Sequence, residues 1–117
     1  MADISIRGEI FEVASSQDLT AAPFNLVTTF NTDFSVMGVL VHTDISTTQT
    51  FSVTLDSVTG SNYDVPLVST SVNIQNFTWQ PSLPWKFKKG NELIIHITNN
   101  SVLLVGTCYV TILAEQA

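Results

Sequence analysis

The sequence predicts an all-β fold: an antiparallel β-sandwich of jelly-roll or Greek-key topology, with an immunoglobulin-like sandwich as the alternative. Three observations lead there. No window of a dozen residues repeats apolar positions at helical spacing while avoiding Thr, Asn, Gly and Pro. Apolar and polar residues instead alternate in short runs, as strands with one buried face require. Turn chemistry recurs roughly every ten residues, and no helix is available for parallel crossovers.

The elements follow in order. Ile4, Ile6, Gly8 and Ile10 share one face of an opening strand, with Ser5, Arg7 and Glu9 on the other, and residues 15–22 read as a loop or a single turn. After Pro23, Phe24, Leu26, Thr28 and Phe30 alternate until Asn31, Thr32 and Asp33 turn the chain. The third strand, Phe34 to His42, is apolar on both faces, which predicts a central strand or one covered by a neighbouring subunit. Phe51, Val53 and Leu55 form a fourth strand, and Gly60, Ser61 and Asn62 the next turn. From Tyr63 to Ser71 the pattern weakens, and Pro66 confines any strand there to an edge or a bulge because it cannot donate to the ladder. Val72, Ile74, Phe77 and Trp79 resume the alternation, and Pro81 and Pro84 bracket an extended crossing. Trp85 and Phe87 lead into the turn of Lys88 to Asn91; Leu93, Ile95 and Ile97 share the next strand's face; Asn99 to Ser101 turn the chain, and Thr107 to Leu113 closes the fold.

A chain of 117 residues supports one core, so a single domain spanning 1–117 is expected. Only 12% of residues are charged, acids outnumber bases ten to four, and the formal charge is −6. Ser and Thr supply the polarity instead, 27 residues in all. A deficit of Lys and Arg disfavours nucleic acid as a partner, since phosphate neutralisation supplies much of that affinity, and likewise an anionic membrane surface. The first ten residues hold no apolar run of signal-peptide length, and no stretch approaches a membrane span. Neither export by that route nor membrane insertion is expected.

Few residues suggest chemistry. His42 and His96 lack the neighbours a metal site needs; a cupin-type jelly roll would place two His one residue apart with a Glu shortly after. Cys108 is a lone cysteine in an apolar run, expected to be a small core residue. No Gly-x-Ser-x-Gly elbow or phosphate-binding glycine loop is present. Nothing in the spacing selects two of Glu9, Glu12, Asp56, Asp64 and Glu92 as a hydrolytic pair. The expectation is a non-enzymatic protein without cofactor or metal. Tyr63, Trp79, Trp85 and Tyr109 are either a sugar-stacking platform or core and interface anchors. Three of the four basic residues, Lys86, Lys88 and Lys89, cluster after Trp85 and form a candidate contact with an acidic partner protein.

Two segments resemble small structural proteins of tailed bacteriophages. In TLDSVTGSNYDVPLVS, Thr54 to Ser69, a strand ends in a Gly-Ser-Asn-Tyr-Asp turn; FKKGNELIIHITNN, Phe87 to Asn100, is similar to a Gly-Asp-Glu-Leu entry into a late strand, with Asn91 in place of the Asp. The opening IRGEIFEVASS and the strand after Gly106 extend the similarity over most of the chain. The resemblance implies a capsid decoration (cement) protein on the outer surface of the virion or, less often in that family, a head or tail accessory protein, made in the host cytoplasm. It implies the major capsid protein as partner, trimers of the chain itself, and no catalytic residues. The competing expectation is a carbohydrate- or receptor-binding module of a head or tail appendage. Residues 1–7, with Ile4, Ile6 and Arg7, are a candidate arm that pairs with a neighbour or with the shell. With Trp85, Lys86, Lys88 and Lys89 they complete the expected partner contacts.

Overall fold

The computed structural model describes residues 10–19, 22–83, 85–99 and 106–117. Eight strands follow one another: β1 (Ile10–Asp18), β2 (Phe24–Thr29), β3 (Phe34–Thr43), β4 (Thr48–Asp56), β5 (Val65–Asn73), β6 (Asn76–Trp79), β7 (Glu92–Ile97) and β8 (Thr107–Gln116). They form two antiparallel sheets, sheet I in the order β1-β8-β3-β6 and sheet II in the order β2-β7-β4-β5. β1 pairs with β8, β2 with β7, β3 with β6 and β4 with β5, so the chain is a nested hairpin whose successive pairs alternate between sheets. Rolling such a hairpin brings β8 beside β3 and β7 beside β4. This is the jelly roll. The order excludes the immunoglobulin-like alternative, whose strands divide unequally between sheets with a different connectivity.

Alternation places the core. Phe51, Val53 and Leu55 of β4 and Leu93, Ile95 and Ile97 of β7 face Val39 and Val41 of β3 and Val110, Ile112 and Ala114 of β8. Phe51 spans the gap: its ring centroid lies 5.1 Å from Phe77 and 6.5 Å from Trp79, both of β6. One end is closed by an aromatic chain, with Phe30 4.3 Å from Phe34 and Phe34 5.5 Å from Phe87. At Gly38, beside a bulge in β3, a side chain would meet the Trp79 carbonyl at 3.3 Å, so glycine allows β6 to sit close.

The structure moves some expected boundaries. β1 runs through residues 15–18, which read as loop, because an edge strand bearing Ser15, Ser16, Gln17 and Asp18 has too little apolar contrast to announce itself. The remainder of the expected opening strand lies outside the described residues. The run from Val72 to Trp79 is two strands: Ile74 and Gln75 form a turn, yet Ile74 is fully buried and so mimics strand alternation. Trp85 and Phe87 belong to no strand; Phe87 makes a single bridge to Phe34, each N–H donating to the other's carbonyl. Pro66 is exposed on the edge strand β5, where its missing N–H costs nothing. β3 is central, as its two apolar faces predict, and within the chain its outward Met37 and Leu40 are 42% and 41% exposed.

Candidate functional site

The outward face of sheet I follows from its register. One row across the strands is Ser16, Tyr109, His42 and Asn76, and the next is Ala14, Thr111, Leu40 and Thr78. Tyr109 is 47% exposed. Over β3, β6 and β8 these rows form a shallow depression of about 340 Å³, lined by Leu40, His42, Asn76, Thr78, Tyr109 and Thr111. Its centre holds no Asp, Glu, Lys or Arg. Towards the aromatic end, a larger groove of about 560 Å³ lies between the start of β3 and the crossing after β6, lined by Ser35, Met37, Pro81, Leu83, Lys86 and Glu115.

His42 is the imidazole in the depression, beside the Tyr109 phenol. Its Nδ1 lies 2.8 Å from the Gln75 carbonyl and 3.0 Å from Asn76 Oδ1, and its Nε2 3.5 Å from an Asp44 carboxylate oxygen. The Asn76 oxygen above all, then the Gln75 carbonyl and the Asp44 charge, favour the imidazolium, and its pKa is raised above the ordinary 6.5 against a smaller opposing effect of desolvation. The ring also lies near Tyr109, centroids 6.2 Å apart and nearly parallel.

The expected contact residues separate. Lys86 is exposed and lines the groove. Lys88 and Lys89 sit at the turn before β7, where the Lys89 N–H donates to Asp33 Oδ1 at 2.9 Å. Neither lines the groove. Trp85 is half-buried with its ring 6.5 Å from that of Phe87. Ile4, Ile6 and Arg7 lie outside the described residues. The four aromatics do not assemble into a platform: Trp79 packs inward on Phe51, Trp85 lies against Phe87, Tyr63 is on the turn between β4 and β5, and Tyr109 alone stands on the sheet face. Alternation on four different elements decides this, and spacing in sequence does not reveal it.

His42 and His96 point outward from opposite sheets and cannot converge. Among the described residues, no three or more of His, Cys, Asp and Glu are placed to hold a metal ion. Cys108 faces the core, and burial pushes its thiol up to about 11. Three carboxylates do meet at one end of sheet II. Asp56 of β4 pairs across the sheet with Glu92 of β7, and Asp64, held by the Ser57 N–H at 2.8 Å, approaches Asp56; Asp64 first, then partial desolvation, then Glu92, raises the Asp56 pKa above 3.8.

The two segments that carry the phage resemblance touch at this same end. The Val58 N–H donates to the buried Asn91 Oδ1 at 3.0 Å, and a side chain at Gly90, where φ is 86°, would meet Val58 at 3.3 Å. Asn91 therefore joins the two turns, a role that needs a short acceptor and no charge. No family model matches the chain, and no curated protein matches it.

Proposed function

We propose that the protein is a non-enzymatic structural protein of a phage virion, a capsid decoration protein that binds the outer shell and stabilises it by bridging subunits. The observation that carries this reading is the outer face of sheet I. Met37, Leu40 and Tyr109 stand on it 41–47% exposed, and Ile10, 62% exposed, lies on the same face beyond Glu12 and Glu115. Apolar surface of this kind on a small acidic domain is costly to leave in water and is characteristic of docking surfaces. The groove at its end adds Leu83, 56% exposed, with Lys86 as a cationic contact for an acidic neighbour. The major capsid protein as partner, and trimers of the chain, are what the resemblance of the two segments to phage structural proteins implies. Many weak copies of one contact then add stability to the shell. The test is addition of purified protein to shells lacking it: decorated shells should survive heating and dilution that open bare ones. Failure to bind, or binding with no gain in shell survival, would end this reading.

One observation favours a second reading, a glycan-binding module. Tyr109 offers an exposed ring beside His42, Asn76, Thr78 and Thr111, which is the pairing of a stacking surface with hydrogen-bonding groups that a pyranose uses. A glycan array giving hits that Tyr109→Ala abolishes would support it; a blank array together with shell binding would remove it.

A further inference from the structure

Each sheet ends in two edge strands, and an exposed edge offers unpaired N–H and C=O groups to any other strand. Three of the four edges are blunted. β6 has four residues and runs into Pro81; β5 carries Pro66 and a break in register opposite Val53 and Thr54; β2 has six residues and starts directly after Pro23. β1 differs. It has nine residues, Ile10–Asp18, without Pro, Gly, Lys or a bulge, and among the described residues no strand lies on its far side.

The ladder fixes which groups face that open edge. The Leu19 N–H donates to the Gly106 carbonyl at 3.0 Å, continuing the β1–β8 register by one pair. Antiparallel pairing alternates, so Phe11, Val13, Ser15 and Gln17 bond to β8, while Ile10, Glu12, Ala14 and Ser16 aim N–H and C=O outward.

We propose that β1 pairs antiparallel with β1 of a second copy about a two-fold axis at Ala14, continuing sheet I across both copies. Full overlap of the nine residues sets Ala14 opposite the partner's Ala14, Glu12 opposite the partner's Ser16 and Ile10 opposite the partner's Asp18. No carboxylate then faces another directly, which self-complementary pairing of an acidic chain requires. The smallest side chain of the outward row lies on the axis. Phe11 and Val13, half-buried at the lip of the sandwich, gain cover from the second copy. The contact goes beyond the shell-docking reading and does not rest on it, since it is measured on purified protein without shells. If the chain also forms trimers through another surface, the two-fold contact joins them in pairs, and the expected species are even-numbered assemblies such as hexamers rather than dimers.

Sedimentation velocity over a dilution series reads the stoichiometry, and cysteine capture reads the register. Ala14 and the partner's Ala14 form a hydrogen-bonded pair with Cα atoms about 5.5 Å apart, within reach of a disulfide. Ser16 and the partner's Ser16 lie four residues apart along the strands, about 13 Å, which is out of reach. Ala14→Cys should therefore be captured as a disulfide dimer under mild oxidation in most of the protein, and Ser16→Cys in less than about a tenth as much. Ala14→Pro deletes an edge-facing N–H while sparing the ladder to β8, and should raise the dimer dissociation constant at least tenfold with an unchanged β-sheet circular dichroism spectrum. If Ala14→Pro fails to fold, Ala14→Lys, which sets two cations on the axis, replaces it with the same expectation. Only monomers or odd-numbered species at every concentration, a dimer that Ala14→Cys does not capture, or capture of Ser16→Cys as readily as Ala14→Cys would overturn the proposal. Pairing through residues 1–9 would give the second of these results.

Discussion

The two sheets have the same number of strands and the same inward packing, yet their outward faces differ. β4 of sheet II alternates Phe51, Val53 and Leu55 inward with Ser52, Thr54 and Asp56 outward, and its neighbour β5 adds Ser69 and Ser71. Those hydroxyl side chains suit the pleat and water satisfies them; beyond them, the same outward face carries the half-buried Ile94 of β7 and Val27 of the edge strand β2, 46% exposed. The central strand of sheet I, β3, sends Val36, Val39 and Val41 inward and Met37, Leu40 and His42 outward. Both faces fold equally well on the core, so the difference does not serve the core. The outward apolar residues of sheet I, Met37 and Leu40, stand on its central strand β3, whereas Val27 of sheet II lies on the edge strand β2.

The largest effect separates inside from outside on one strand. Phe51→Ala removes the ring that reaches Phe77 and Trp79 of the opposite sheet and should cost about 3–5 kcal/mol, read from a urea or thermal midpoint. Ser52→Ala, one residue on, should stay within about 0.5 kcal/mol. A Phe51→Ala loss as small as that of Ser52→Ala would mean that the two sheets do not share one core.

Lysine substitution then compares the two outward faces directly. Leu40→Lys on sheet I should weaken shell binding by about tenfold or more, as loss of a central apolar contact does. Thr54→Lys, at an equivalent outward position on sheet II, should leave binding unchanged. Both variants should keep the thermal midpoint of the parent within a few degrees. Equal loss from both would show that the apolar character of sheet I is not what binds.

These contrasts also show what could be read from the chain before folding. Strands β2, β3, β4, β7 and β8 were legible because each has a sharp inside and outside, as in Phe51, Val53 and Leu55. β1 was not, because an edge strand with a half-buried face needs less apolar contrast, and Ile74 misled because a buried turn residue can continue a strand's alternation. The outward apolar character of β3 was legible as a doubly apolar run, whereas the addition of Tyr109 to the same face depends on the pairing of His42 with Tyr109 across β3 and β8. The cluster of lysines after Trp85 read as one patch; the bridge between Phe87 and Phe34 fixes that segment so that only Lys86 lines the groove.

Smaller effects come from charge. At the end of sheet II, Asp64 is the chief reason that Asp56 holds its proton above the ordinary 3.8. A carboxyl whose folded pKa is raised favours the fold below its unfolded value, and that contribution is lost as pH rises through the folded one. Asp64→Asn keeps an acceptor oxygen for the Ser57 N–H and removes the repulsion. It should raise the thermal midpoint slightly at pH 7 and flatten its fall between 3.8 and the raised value. A midpoint lowered at pH 7 would show that Asp64 serves the turn more than it strains Asp56.

On sheet I the charge works in the opposite direction for folding and for docking. His42 has a raised pKa, chiefly through Asn76, so its contacts stabilise the fold fully below 6.5 and less as pH rises through the folded value. The same positive charge lies in the low-charge depression beside Leu40 and Tyr109, and covering that face must strip its water. Acid should therefore make the free protein slightly more stable and its binding to shells weaker. Asn76→Ala removes the largest support for the imidazolium; the His42 ring protons, followed by NMR, should titrate at lower pH, and the loss of shell binding on acidification should move down with them. If shell binding keeps its pH dependence while the His42 titration moves, the docking surface does not include this part of sheet I.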